Sequence, residues 1–136
     1  MKEPVWLDRL TVDAIHFDQL LEHGGHHGVR DEGALESALN RARNRRLYEH
    51  GADLAALAAL AAAYGFGLTS NHPYADGNKR VALLAMYVFL AVNGRRLVAP
   101  EVEAALVVLD VERGRLGEAA LATWLRRQTR AMKKRG

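Results

Sequence analysis

His72, Asp76, Asn78, Lys79 and Arg80 stand together in "NHPYADGNKR", directly ahead of the apolar run "VALLAMYVFLAV". An imidazole is the side chain whose ordinary pKa suits taking a proton from a hydroxyl near neutral pH. An aspartate beside phosphate is the expected partner of Mg²⁺, which is commonly held by one or two carboxylates plus substrate phosphates. Lysine meets phosphate as a point charge and arginine as a planar fork. A base, a metal ligand, a glycine turn and two cations are the parts of a phosphoryl-transfer site.

The chain around these residues has to position them. Pro73 disfavours the helical region for His72, so a preceding helix should end there and hold the imidazole in an extended loop. Asp76-Gly77 is a turn signal, and Gly77 can adopt a positive φ or admit close approach of another group. A helix then starts at about Asn78, with its free N–H groups and positive dipole end facing the loop, which makes an anion site. Lys79 and Arg80 in its first turn oppose that dipole, so something negative must offset them, and a polyphosphate would do so. The competing reading is an ordinary interhelical turn, with Pro, Asp and Gly for geometry and solvated cations; it leaves the cations at the wrong helix end unexplained.

Helical signals dominate the rest of the sequence, and no alternating strand pattern stands out. Leu7, Leu10, Ile15, Phe17, Leu20 and Leu21 predict a first helix ending at Gly24-Gly25. Asp31 should cap a short second one, "EGALESALNRA", with Leu35, Ala38 and Leu39 on one face. Residues 42–51 read as a basic and aromatic connection. Asp53 caps an Ala/Leu segment reaching about Ser70, where Gly65 and Gly67 permit close packing. The stretch 78–93 is apolar all round, which places it at the centre of the domain, and Asn93-Gly94 stops it. Helices beginning near Pro100 and Gly117 follow, the last with Trp124 and Leu125 facing the core, and 128–136 reads as a basic tail that frays. The expectation is one all-α domain over 1–136, of about six or seven helices around a central buried helix.

Composition narrows the class. The chain has 136 residues, of which 49% are hydrophobic and 26% charged, ordinary values for a single globular domain. Cysteine is absent, which excludes disulfides and thiolate metal sites and suits a reducing cytoplasm. The N-terminus lacks the apolar core of a signal peptide. Both apolar stretches fall short of the ~20 residues that cross a bilayer, so no membrane association is expected. A net charge of +3 favours anionic partners without establishing nucleic-acid binding.

"HPYADGNKR" resembles the signature of the Fic/Doc superfamily, His-x-Phe-x-Asp/Glu-Gly/Ala-Asn-Gly/Lys-Arg at the start of a central helix, with Tyr74 where Phe is usual. "GGHHGVRDEGALESAL", "AAAYGFGLTSNHPYADGNKR", "FLAVNG" and "ATWL" are similar to the death-on-curing (Doc) branch, so the resemblance spans most of the chain. It implies an all-α cytoplasmic toxin of a toxin–antitoxin pair that transfers the γ-phosphate of ATP to a Ser/Thr hydroxyl of a translation factor, EF-Tu by implication. Carried over by position, His72 is the base, Asp76 holds Mg²⁺, Gly77, Asn78, Lys79 and Arg80 contact phosphates, and Tyr74 anchors the loop. AMP-transferring relatives commonly have Gly at the position of Lys79 and a second Arg at that of Leu83, so the kinase reading is preferred to the alternative of AMP transfer. The family's autoinhibitory pattern, Ser/Thr-x-x-x-Glu-Gly/Asn, is not found, which implies inhibition in trans by an antitoxin.

Lesser signals complete the picture. His23, His26 and His27 lie in a Gly-rich loop with no evident metal-binding geometry and read as solvated. Arg30 pairs with the Asp31 cap or clamps phosphate at the rim of the site. In the family, target docking uses a segment before the motif, which corresponds to 41–51. The rival function class is a non-catalytic nucleic-acid- or partner-binding module built on "RARNRR" and "RRQTRAMKKRG", for which no groove-reading motif is present and direct nucleic-acid contact is not expected.

Overall fold

The computed structural model describes residues 3–48, 51 and 53–132. Among them six helices and two short strands run in the order α1 (Arg9–His23), α2 (Glu32–Arg45), α3 (Leu54–Asn71), α4 (Asn78–Val92), β1 (Arg95–Leu97), α5 (Glu101–Glu112), α6 (Glu118–Arg127) and β2 (Thr129–Ala131). Three helices start at an aspartate whose carboxylate accepts an N–H of the first turn: Asp8 from Thr11, Asp31 from Ala34 and Asp53 from Ala56. Each satisfies one of the donors that a helix start leaves open.

The most deeply buried helix is α3, which packs against α2, α4, α5 and α6. The centre expected at 78–93 is thus shared by two helices, with α4 beside α3 and its Tyr87 and Val88 half-buried. The reason is side-chain size, because the alanines of α3 let neighbours close in on every side. Gly67 lies against the backbone of Ala38 in α2, and a Cβ on Gly65 would fall 2.3 Å from Sδ of Met86 in α4. Among the described residues α3 is the only helix long and apolar enough to cross a bilayer, and most of it is inside the core.

Several boundaries differ from the sequence reading. The second helix continues through Arg45, using good helix formers of the supposed connection, with Ala42 buried on its inner face. Residues 49 and 50 of that connection lie outside the described residues. A small antiparallel sheet pairs Arg95 with Ala131 and Leu97 with Thr129, so the first part of the supposed tail is ordered and Thr129 is buried. Residues 133–136 lie outside the described residues. Three-residue strands carry too little alternation to register as a pattern. In α1 the inward face is Val12, His16 and Leu20, while Leu10, Phe17 and Leu21 are exposed.

The N-terminal segment is tied down by two polar contacts. Asn93 accepts from Val5 N–H at 2.8 Å and donates back to its carbonyl at 2.9 Å, and the buried Tyr64 hydroxyl accepts from Leu7 N–H at 3.1 Å. Burial pushes the Tyr64 phenol above its usual range.

The contact at Gly65 is testable. Gly65→Ala gains helix propensity but drives a methyl into fully buried Met86, and the overpacking should cost a net ~1–3 kcal/mol in chemical denaturation. Met86→Ala alone should cost ~2–5 kcal/mol as a cavity and less than that in the Gly65→Ala background, where the methyl occupies part of the space; additive effects of the two changes would mean that the residues do not press on one another.

Candidate active site

His72, Ala75, Asp76, Gly77, Asn78, Lys79, Arg80 and Glu112 line one cavity of about 360 Å³. Gly77 holds the N-cap position of α4 with φ 78° and supplies no capping side chain. The first-turn N–H groups of α4 therefore have no side-chain acceptor and face the pocket, an arrangement that attracts anions.

His72 caps the C-terminus of α3 in the left-handed region, with φ 46° and ψ 55°, not in the extended conformation expected before a proline. It is the one positive-φ non-glycine residue among those described, and such a placement costs of order 1–2 kcal/mol. What holds it there is visible. Arg30 donates to the His72 carbonyl from Nε at 2.9 Å and Nη2 at 2.6 Å, and to the Asn71 carbonyl at 3.2 Å. The N–H groups of Arg30 and Asp31 share the Pro73 carbonyl, and Ala75 N–H donates to Gly28 O at 3.1 Å. The segment before α2 is thereby bridged, Val29 to Tyr74, onto the motif loop. Arg30 is not among the cavity-lining residues; its fork is occupied by the last carbonyls of α3, where a cation complements the dipole.

Tyr74 is buried and donates its hydroxyl hydrogen to Asp13 at 2.7 Å. Burial first, and then the Asp13 carboxylate, push its phenol far above the ordinary tyrosine range. Asp13 in turn meets Arg9 at 2.8 Å, and Arg9 meets Glu32 at 2.7 Å. Asn78 staples the loop by accepting from Tyr74 N–H at 2.9 Å and donating to Tyr74 O at 3.0 Å. Its side chain is thus spent on the loop, and only its backbone amide is left to face a phosphate.

Asp76 accepts from Gly77 N–H at 2.9 Å and, more weakly, from His26 N–H at 3.4 Å. The Gly-rich loop so reaches the site through backbone, and a Cβ on Gly25 would lie 2.8 Å from Asp76 Oδ2. No group of three or more His, Asp or Glu side chains that could hold a metal occurs among the described residues. A single accessible carboxylate fits Mg²⁺ that arrives with phosphate ligands of its own, since Mg²⁺ rarely sits in an all-protein cage. Lys79 pairs with Glu112 at 3.1 Å, so the negative group that offsets it is partly supplied by α5. Glu112 gave no sequence signal, because its partner lies 33 positions away. Beside this cavity an apolar groove between α4 and α5, about 380 Å³ and lined by Leu83, Val102, Leu106 and Leu109, shares Lys79 and Arg80 with it.

Comparison with known proteins places the whole chain. The Fic/DOC family model matches residues 6–90. A protein named Protein kinase doc, from Escherichia phage P1, is 31% identical over 114 residues, covering 84% of this chain and 87% of its own. Toxin Doc of Mycolicibacterium smegmatis is 39% identical over 98 residues, covering 69% and 68% respectively.

Arg30→Lys tests the support of His72. One ammonium cannot span two carbonyls as a planar fork does, so displacement of the imidazole should lower the turnover of the transfer reaction by roughly 10- to 100-fold while nucleotide affinity stays near wild type. Equal loss in affinity and turnover would instead make Arg30 a ligand contact.

Proposed function

Because the chain belongs to the Fic/DOC family, we propose that it is the toxin of a toxin–antitoxin pair, a kinase-like enzyme that moves the γ-phosphate of ATP to a Ser/Thr hydroxyl of a translation factor, EF-Tu, in the cytoplasm. The observation that carries this reading is the convergence of His72, Asp76, Lys79 and Arg80 on one cavity at the uncapped start of α4.

Each residue has a role that its position supports. His72 accepts the proton of the attacking hydroxyl. The amides of Asn78, Lys79 and Arg80 receive phosphate oxygens, Gly77 lets them approach the backbone while its own N–H holds Asp76, and Lys79 acts as point charge and Arg80 as fork. Asp76 holds Mg²⁺, which when bound neutralises charge on the phosphates. Tyr74 keeps the loop in register by burying its ring. Lys79 occupies the space in which a relative with Gly accommodates the phosphates of an AMP donor, and the Leu83 side chain, one turn beyond Arg80, is apolar and buried where a second Arg clamp would be needed. Both favour γ-phosphate transfer over AMP transfer. Arrest of translation would follow from modification of the factor. Restraint in trans by an antitoxin is supported by the relative named a toxin and by the apolar groove next to the cavity, from which an inhibitory segment would stand against Lys79 and Arg80.

The purified protein, Mg²⁺ and EF-Tu should be incubated with ATP labelled on the α- or on the γ-phosphate. Label on EF-Tu from the γ-position alone is expected; label from the α-position would mean AMP transfer. His72→Ala should lose the reaction by about 10²- to 10⁴-fold with an unchanged circular dichroism spectrum, and full activity in that variant would remove His72 from the mechanism. Lys79→Gly should lower γ-transfer and admit label from the α-phosphate, whereas an unchanged product pattern would deny Lys79 a part in orienting the nucleotide.

A further inference from the structure

We infer that His16 is a positioning residue for Asp76, acting through the peptide unit between Asp76 and Gly77; the inference rests on the reading of Asp76 as the Mg²⁺ ligand. His16 occupies a position that helical spacing assigns to the core, between Val12 and Leu20, and it is only 5% exposed. An imidazole in that position is costly unless its polar atoms are matched. Nε2 lies 3.0 Å from the Asp76 carbonyl oxygen. A carbonyl only accepts, so Nε2 carries the hydrogen and donates it.

The same ring grips the motif loop at two further points. It stacks on Tyr74 with centroids 3.9 Å apart and planes 13° from parallel, and its Cδ2 is the nearest heavy atom to where a Cβ on Gly77 would be, at 3.8 Å. The carbonyl of Asp76 and the N–H of Gly77 belong to one planar peptide unit and point in opposite directions. Holding the carbonyl from the core side therefore turns the N–H outward, where it donates to Asp76 Oδ1 at 2.9 Å. One hydrogen bond from α1 thus fixes the peptide plane, and the plane fixes the carboxylate. The second oxygen, Oδ2, has only the long 3.4 Å contact with His26 N–H and is the atom left to bind a cation. Asp13, one turn before His16, holds the Tyr74 hydroxyl, so α1 grips the loop at both its ring and its backbone.

The proposal separates His16→Leu, which fills the space without a donor, from His16→Gln, whose amide can donate from a similar distance. Binding of a non-hydrolysable ATP analogue should be measured by calorimetry with and without Mg²⁺, together with amide hydrogen exchange of residues 74–78. His16→Leu is expected to lose 10- to 100-fold in the Mg²⁺-dependent part of nucleotide affinity, the usual effect of removing a group that orients a metal ligand. Its metal-free affinity should match wild type and exchange at Gly77 should quicken, while His16→Gln restores most of both. A His16→Leu protein with wild-type Mg²⁺ dependence and exchange would overturn the proposal and leave the reading of Asp76 intact. Wild-type protein whose nucleotide binding ignores Mg²⁺ would overturn that reading and this inference with it. Should His16→Leu fail to fold, His16→Gln decides alone: near-wild-type Mg²⁺ dependence and exchange support the proposal, and loss of both overturns it.

Discussion

The amides that open α4 receive no acceptor from a capping side chain, because Gly77 stands where a serine or aspartate would normally close the helix start. Leaving that end open is what makes the cavity a place for anions, and it carries costs that the surrounding structure has to meet. The helix forgoes a cap worth ~1 kcal/mol, and Lys79 and Arg80 lie against the dipole. The loop before it must also keep its shape without the local hydrogen bonds that a capped turn would supply.

That shape comes from three directions. From the N-terminal side, α1 contributes Asp13 and His16. From the segment before α2, backbone groups of Gly28, Arg30 and Asp31 pair with Pro73 and Ala75, and the Arg30 fork closes the end of α3. From within, Asn78 ties its amide to both backbone groups of Tyr74. The left-handed His72 is affordable only because these contacts over-determine it, as strained residues at functional sites generally require. The apolar bulk of α3 and α4 then supplies the rigid base, with Gly65 and Gly67 letting helices approach closely enough to leave no slack.

How much of this could be read from the residues depended on how far apart the cooperating residues are. The motif, the Asp31 and Asp53 caps, the stops at Gly24 and Asn93 and the existence of six helices are local properties, and each was legible. The short sheet was not, since three-residue strands at 95–97 and 129–131 are created by tertiary pairing rather than by pattern. His16 carries no signal in the sequence beyond its place inside the first helix, and only the structure reveals that its ring is buried and aimed at Asp76. Arg30 was read as a cap partner or a phosphate clamp, yet its fork is taken up by carbonyls of α3 that no sequence window could have brought near it. The conformation of His72 went against a sound rule about residues before proline, because the carbonyls freed by a left-handed turn find a partner in Arg30.

Glu112 shows how the two ends of neighbouring helices answer one another. It closes α5, where the negative dipole end disfavours a carboxylate, just as the positive end of α4 disfavours Lys79. Paired across the cavity at 3.1 Å, each misplaced charge is the other's remedy. The two side chains are 49% and 27% exposed, and a pair so open to water is worth at most ~1 kcal/mol. A phosphate carries more charge than one carboxylate and is attracted by helix amides as well, so on the function proposed above it would compete for Lys79. The ion pair therefore holds Lys79 on the wall of the cavity without making its release expensive.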